Sequence, residues 1–238
     1  MENRTQPLKN ELYLVFQPIM HIISDDKQEM SEFEVLLRSK KTHRYPMDMM
    51  DEFILFEEKN KELLDWYEEE LIYFCQKYPT YTFNFNIHPQ QFFHQSTWNF
   101  LIRLKKFSKQ INIELTEKPI VTEASQTSIQ YYMERYTSQI RSLGYKICFD
   151  DIGSGQNTLE LISRNIEAIT CLKFSLQAFK QTDMKILRQF LIAWQQLACK
   201  YHIRLVVEGI EDREVSKELF NQGIHWQQGY YWAKAVDL

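Results

Sequence analysis

The sequence predicts an α/β fold in which eight strands and alternating helices close into a barrel, and three observations support this. Eight short apolar-rich segments alternate along the 238 residues with segments that repeat apolar residues every three or four positions, as amphipathic helices do. Several of the short segments alternate apolar with polar residues, so one face can pack under helices while the other faces the barrel interior. Glycine and proline are sparse, at six residues each, and mark no linker that would divide the chain.

Taken in order, the predicted elements alternate to the end of the chain. The predicted strands are residues 12–19, 31–38, 81–88, 111–116, 146–149, 168–174, 204–208 and 224–228. The predicted helical segments are residues 47–78, 89–107, 127–143, 159–164, 183–200 and 213–221. The first helical segment is expected to be two helices with a break near Lys59 and Asn60. In segment 183–200 the residues predicted to point inward are Ile186, Phe190, Leu191, Trp194 and Leu197.

The connection between the first two strands is the exception to this pattern. Only residues 20–30 join them, which is too short for the crossover helix that two parallel strands need. A hairpin fits this length, so we expect one strand of the barrel to run antiparallel.

Length, charge and cysteine content narrow the class of protein. The chain fits one barrel domain over residues 11–238 after a polar N-terminal tail, residues 1–10, and is expected to stand alone. A net charge of −4 argues against binding a nucleic-acid polymer. The four cysteines are far apart and form no CxxC pair, which favours reduced thiols. Since the sequence has neither a signal peptide nor an apolar run long enough for a membrane segment, a cytoplasmic protein is expected.

Two adjacent carboxylates, Asp150 and Asp151, follow the predicted strand 146–149 and precede Gly153 and Gly155. Neighbouring side chains on a strand point to opposite faces, so both acids serve one site only if the backbone turns there, as glycine permits. Two anions this close repel each other, and a cation between them relieves the repulsion. A solvated turn without a ligand is the alternative at this point.

Polar side chains also follow one face of several other strands. They are Glu34 and Arg38, then Asn84, Asn86 and His88, then Asn112, Glu114 and Thr116, and finally Lys173 and Glu208. Buried charges must be paired or metal-bound, because an unpaired one is costly. Oxygen ligands favour Mg²⁺ or Mn²⁺ over zinc, and a site for two such ions suits phosphodiester hydrolysis. A sheet with one hydrated face is the alternative.

At these residues the sequence resembles the EAL domain family of cyclic di-GMP phosphodiesterases, over nearly the whole chain. The matching motifs are Phe16-Gln17-Pro18-Ile19, Glu34-Val35-Leu36-Leu37-Arg38, Phe85-Asn86-Ile87, Glu114-Leu115-Thr116-Glu117, the loop from Asp150 to Gly155, Lys173, Glu208-Gly209-Ile210-Glu211 and Gln228-Gly229-Tyr230. The resemblance implies a modified TIM-type (β/α)8 barrel with one antiparallel strand. It also implies metal-dependent hydrolysis of cyclic di-GMP to linear pGpG.

The resemblance implies a role for each matching residue. Two divalent cations, Mg²⁺ or Mn²⁺, are expected to be held by Glu34, Asn86, Glu114, Asp150, Asp151 and Glu208, with Asp150 bridging them. The implied catalytic residues are Lys173, Glu117 and Glu208, where Lys173 positions or helps to activate the attacking water and Glu117 supports the Asp150 loop. The implied substrate contacts are Gln17, Arg38 and Gln228. Ca²⁺ is expected to inhibit.

The loop from Asp150 to Gly155 differs mildly from the family pattern at Ile152 and Ser154, and three further positions depart from it. Val35 stands where the family usually has Ala, Ala235 where it has Pro, and Ser175 where it has Asp two positions after the lysine. The missing carboxylate at Ser175 leaves a second function open, a catalytically weak or inactive receptor for cyclic di-GMP or a protein partner. An unrelated barrel glycosidase that uses two carboxylates without a metal is a third. The resemblance also implies a possible homodimer.

Overall fold

A computed structural model of the chain describes residues 6–24, 26–121 and 126–238. Within these residues, eight strands close into a barrel in sequence order. The strands are β1 Leu12–Ser24, β2 Lys27–Ser39, β3 Thr82–Ile87, β4 Ile111–Leu115, β5 Lys146–Phe149, β6 Cys171–Ser175, β7 Arg204–Glu208 and β8 Trp226–Gln227. The predicted barrel is therefore confirmed.

The first strand is the antiparallel one. β1 pairs antiparallel with both β2 and β8, and every other neighbouring pair of strands is parallel. The β1–β2 pairing runs from Leu12 opposite Ser39 out to Ser24 opposite Lys27, so both strands are longer than the sequence predicts. The hairpin prediction is thus confirmed, and the segment expected to be a loop is mostly an extension of its two arms.

Helices cover the outside of the barrel. They are α1 Gln6–Glu11, α2 Met47–Leu55, α3 Glu57–Lys77, α4 Gln95–Arg103, α5 Gln126–Ser142, α6 Leu159–Arg164, α7 Met184–Tyr201 and α8 Arg213–Asn221, with short 3-10 turns at Pro89–Phe93 and Leu104–Phe107. The helix α1 begins inside the segment predicted as a polar tail, and its Leu8 is buried. In the described part of the chain, no helix has both the length and the apolar composition that crossing a bilayer requires.

The break in the first helical segment lies at Phe56, so the prediction of a break near Lys59 and Asn60 is wrong. Phe56 has an extended backbone, with φ −113° and ψ 127°. Asn60 is fully buried inside α3, where its Nδ2 donates to Ser96 Oγ at 2.6 Å and to Thr97 Oγ1 at 2.9 Å. Asparagine favours helix ends in general, but here tertiary hydrogen bonds satisfy its side chain within a helix.

The inward face of α7 is also different from the predicted one. The buried residues of this helix are Leu187, Leu191, Trp194 and Ala198, which follow the helical repeat. Leu191 and Trp194 are predicted correctly, whereas Ile186 and Phe190 are 54% and 58% exposed. Apolar residues cover more of this helix than the barrel can bury, so spacing alone selects the wrong stripe.

The strands divide the interior into an apolar layer and a lumen. On β3, Phe83, Phe85 and Ile87 are buried in the core beneath the helices, and Asn84 and Asn86 lie on the opposite face. We call the end of the barrel where the parallel strands begin its base, and the end where they finish its mouth. Inside the lumen, a small apolar cluster lies between the two ends and consists of Ile19, Cys148, Cys171 and Val206.

Candidate active site

Four carboxylates from different strands meet around one buried lysine at the mouth of the barrel. Lys173 Nζ lies 3.2 Å from Glu34 Oε2, 2.5 Å from Glu114 Oε1, 3.4 Å from Asp150 Oδ1 and 3.0 Å from Glu208 Oε2. The lysine side chain is 1% exposed and that of Glu114 is fully buried. The strand order brings these five residues together although they are spread over much of the sequence. With every group ionised, the cluster carries an excess of negative charge.

Lys173 remains protonated in this environment. Burial by itself would lower its pKa, but the charges of Asp150, Glu114, Glu208 and Glu34 together outweigh burial and hold the pKa well above its ordinary value. A lysine in this state offers a positive charge and N–H donors, and it is not available to accept a proton.

Glu34 and Glu114 contact the same lysine, yet they differ in their other partners. Glu34 accepts from Asn86 Nδ2 at 2.9 Å and from Gln228 Nε2 at 2.7 Å. Burial raises the pKa of Glu34, but Lys173 and these two amides reverse the effect and leave it lowered. Glu114 Oε2 has no hydrogen-bond partner among the described residues, and burial raises the pKa of Glu114 well above its ordinary value. Glu114 is therefore the carboxylate with the greater need for a further cation.

The backbone turns between the two adjacent aspartates, as the sequence predicts, and Asp151 itself has the left-handed φ of 45°. Gly155 follows with φ 50°, and a Cβ atom there would lie 2.1 Å from the carbonyl oxygen of Glu117. That carbonyl accepts from Gln156 N at 2.8 Å. The buried side chain of Asn157 donates to the carbonyl of Asp150 at 2.5 Å. The loop is thus held against Glu117 in a conformation that points both acids to one side.

A second group of acids adjoins the lysine cluster and shares one member with it. Carboxylate oxygens of Glu117, Asp150 and Asp151 all lie within 4.8 Å of one another. Burial, followed by the charges of Glu208 and Glu117, raises the pKa of Asp151 to about 6. Asp150 Oδ1 and Asp151 Oδ1 are buried and lack a hydrogen-bond partner among the described residues. These oxygens fit divalent cations. The family resemblance implies that Glu117 is a catalytic residue that supports the loop, and it does not include Glu117 among the metal ligands beside the two aspartates.

Ser175 lies next to this group. Ser175 is close enough to Asp151 to lower the pKa of that acid, which counteracts part of the rise. The hydroxyl oxygen of Ser175 accepts from the backbone N–H of Ala178 at 3.2 Å. The sequence reveals Ser175 only as a missing carboxylate, since its proximity to Asp151 depends on how the loop after β5 folds.

A cavity of about 420 Å³ opens above these residues. Its lining includes Gln17, Glu34, Asp150, Glu208 and Gln228, all of them predicted from the sequence to belong to the site. Gln177 and Glu211 also line the cavity and are joined by a hydrogen bond of 2.9 Å. The sequence analysis does not single out this last pair, because their meeting depends on two separate loops.

Arg38 is a predicted site residue that does not line this cavity. It follows Glu34 by four positions on β2, and its Nη1 donates to the carbonyl of the adjacent Leu37 at 2.9 Å. Arg38 is not among the described residues that line the cavity. Its contact with a substrate phosphate remains a prediction.

Known proteins resemble this chain in sequence. The chain is 27% identical over 169 residues to the cyclic di-GMP phosphodiesterase PdeA of Borreliella burgdorferi, covering 68% of this chain and 24% of the relative. It is 24% identical over 246 residues to the probable cyclic di-GMP phosphodiesterase PdeN of Escherichia coli, covering 97% and 44%. The chain therefore spans less than half the length of these curated relatives.

Solved structures share the fold. One of them is the YkuI protein of Bacillus subtilis, which has an EAL domain and was solved in complex with substrate c-di-GMP and calcium. It matches this chain with a TM-score of 0.74 and 21% identity. The match covers all of this chain and 60% of that one. The family model of the EAL domain matches residues 2–235. On this match and this barrel topology, the chain belongs to the EAL domain family.

Proposed function

We propose that this chain is a metal-dependent phosphodiesterase that hydrolyses cyclic di-GMP to linear pGpG. The observation that carries the proposal is the excess of buried carboxylates over cations at the barrel mouth, below a cavity large enough to admit part of a nucleotide. The names of the curated relatives support the choice of substrate. A glycosidase mechanism would need two carboxylates and would leave the other acids of this cluster without a function.

We propose that the divalent cations, Mg²⁺ or Mn²⁺, are held by the acids of the lysine cluster and of the adjoining group. These residues are Glu34, Asn86, Glu114, Asp150, Asp151 and Glu208, to which the geometry adds Glu117. Asp150 belongs to both groups, in keeping with a bridging role. When bound, such cations lower the pKa of a water molecule and offset the charge that builds on a phosphate.

The protein's own residues would orient the reaction. Asn86 and Gln228 fix Glu34 from two sides, so that this carboxylate presents a defined face to the cavity. Protonated Lys173 would hold the attacking water by an N–H donor or offset charge on the phosphate. Gln17 lines the same cavity and would contact the substrate, as would Arg38 once its side chain leaves Leu37.

The deciding experiment mixes the purified chain with cyclic di-GMP in Mg²⁺, Mn²⁺, Ca²⁺ or a chelator and separates the products by chromatography. We expect pGpG with Mg²⁺ or Mn²⁺, little product with Ca²⁺ and none with the chelator. Hydrolysis that survives the chelator would contradict the metal-dependent mechanism.

Ser175 favours a second candidate, a receptor that binds cyclic di-GMP without turning it over. Because the hydroxyl replaces a carboxylate directly beside Asp151, it removes one negative charge from the site. Binding measured by calorimetry in Mg²⁺, with no product over the same period, would favour the receptor.

We also propose that two copies of the chain associate through α6 and α7. Leu159 and Phe190, each 58% exposed, line an apolar groove of about 830 Å³ with Phe179 and Trp194. An exposed apolar surface of this kind is typical of an interface. Light scattering should give a dimer for the natural chain and a monomer for Phe190→Glu, while Ile102→Glu, equally exposed on α4, should remain dimeric. A monomeric natural chain would contradict the proposal.

A further inference from the structure

Two cysteines, Cys148 on β5 and Cys171 on β6, lie side by side in the lumen directly below the candidate active site. They are partners in the parallel register of these strands, and 1% and 4% of their surfaces are exposed. Because paired residues on neighbouring strands face the same side of the sheet, the two side chains pack together in the small apolar cluster of the lumen. Paired Cα atoms on neighbouring strands lie about 4.8 Å apart, within the range of about 4.4–6.8 Å that disulfides span.

A cationic side chain contacts one of the two thiols. Arg204 Nη2 donates to Cys171 Sγ at 3.6 Å, and the same guanidinium also pairs with Glu32. A neighbouring guanidinium stabilises the thiolate, which is the nucleophilic form of cysteine. The Arg204 side chain is 22% exposed and Cys171 itself is 4% exposed, so the proposal needs an oxidant as small as hydrogen peroxide.

We propose that Cys148 and Cys171 are a redox-active dithiol that hydrogen peroxide converts into a disulfide. The Cys171 thiolate attacks one peroxide oxygen, which forms a sulfenic acid and releases the other oxygen as water after proton uptake. The Cys148 thiol then displaces the sulfenic oxygen as a second water and closes the S–S bond. In total the two thiols lose two electrons and two protons, and one peroxide becomes two waters.

Disulfide closure would act on the active site through the two strands. Cys148 precedes Asp150 by two residues and Cys171 precedes Lys173 by two, so each cysteine lies on the same strand face as a site residue. A disulfide draws the two Cβ atoms to about 3.8 Å. Moving β5 towards β6 alters the relative position of Asp150 and Lys173, whose ion pair is 3.4 Å long.

The test maps disulfides in the full chain carrying Cys199→Ser, because Cys199 is the exposed cysteine and would form bonds between molecules. Protein reduced and then treated with hydrogen peroxide in the presence of a chelator is alkylated in denaturant and digested. We expect a peptide that links Cys148 to Cys171, with Cys75 still alkylated, and its loss on treatment with dithiothreitol. If both thiols stay alkylatable under peroxide that oxidises Cys199 in the natural chain, the proposal fails.

Two variants sharpen this result. In Cys148→Ser, dimedone should trap the sulfenic acid on Cys171, whereas in Cys171→Ser no trapping is expected at Cys148. Trapping on Cys148 alone would overturn the order of attack.

The link to the active site is measured as turnover and rests on the proposed function, while disulfide mapping does not depend on it. We expect at least a tenfold loss of turnover in the disulfide form, restored by dithiothreitol, and unchanged turnover would overturn that link.

Discussion

The mouth and the base of the barrel both hold buried carboxylates in the lumen, but only the base is balanced in charge. At the base, Arg204 donates to Glu32 through two nitrogens at 2.6 and 2.5 Å, and Asn84 Nδ2 donates to the same carboxylate at 2.9 Å. At the mouth, Lys173 alone faces four carboxylates. Glu32 and Glu34 are two residues apart on β2, so one strand contributes an acid to each region.

This difference separates a structural ion pair from a binding site. A buried pair of opposite charges neutralises itself and needs no further cation, although removing one partner is strongly destabilising. The mouth keeps buried oxygens without hydrogen-bond partners, among them Glu114 Oε2, Asp150 Oδ1 and Asp151 Oδ1. Such oxygens are costly unless a ligand satisfies them. The imbalance is therefore the reason to propose the mouth as the functional region and the base as its support.

The largest effect is expected from Glu114→Ala at the mouth. The substitution removes the carboxylate that most lacks a cation, so turnover should fall by about 100-fold or more, the upper end of the loss seen when a metal's supporting residue is removed. The rise in melting temperature that Mn²⁺ gives the natural chain should also be smaller in this variant. Turnover at the level of the natural chain would remove Glu114 from the site.

Lys173→Ala tests the buried cation that contacts all four carboxylates of the lysine cluster. Turnover should fall by about 100-fold or more, the loss typical when one donor that stabilises charge in the transition state is removed. Cyclic di-GMP binding, measured by calorimetry in Ca²⁺, should remain because the carboxylates and their cations still hold the phosphates. Equal losses of binding and turnover would instead make Lys173 a substrate anchor.

Glu32→Ala at the base should lower stability and leave the chemistry intact. Loss of one member of a buried ion pair costs about 3–5 kcal/mol of unfolding free energy, because Arg204 is left without its partner. Urea unfolding measures the change in unfolding free energy. The control is Glu29→Ala, an exposed position of the same hairpin, which should change the unfolding free energy by less than about 0.5 kcal/mol. A fall in turnover at low temperature, where the variant is folded, would show that the two regions are not separable.

The smallest effect is expected from Ser175→Asp. The carboxylate restores the residue usual in the family and adds negative charge beside Asp151, so turnover in saturating Mg²⁺ should rise or stay unchanged. Steady-state kinetics at several Mg²⁺ concentrations would measure it. A large loss would mean that the Ser175 hydroxyl near Asp151 has become essential in this chain.

Much of the candidate site can be predicted because strand periodicity is a local property. Alternation alone places Asn86, Glu114 and Lys173 on the lumen side of their strands, and the glycines after Asp151 indicate a turn. The exposed Ile186 and Phe190 of α7 show the limit of this approach, since the spacing of apolar residues does not say which stripe a barrel will cover. The same limit applies to Arg38, because the sequence does not say whether a long side chain at the barrel rim faces the cavity or hydrogen-bonds to its own backbone.

The sequence by itself determined the eight-stranded barrel, the presence of one antiparallel strand in its first hairpin and the set of residues facing the lumen. These features follow from side-chain periodicity and connection length, which act between residues close in the chain. The tertiary structure alone decided that Lys173 lies among four acids, that Glu34 is satisfied while Glu114 is not, and that Glu117 joins the two aspartates. Those outcomes depend on strand register and barrel closure, which set the distances and burial of groups that are far apart in sequence.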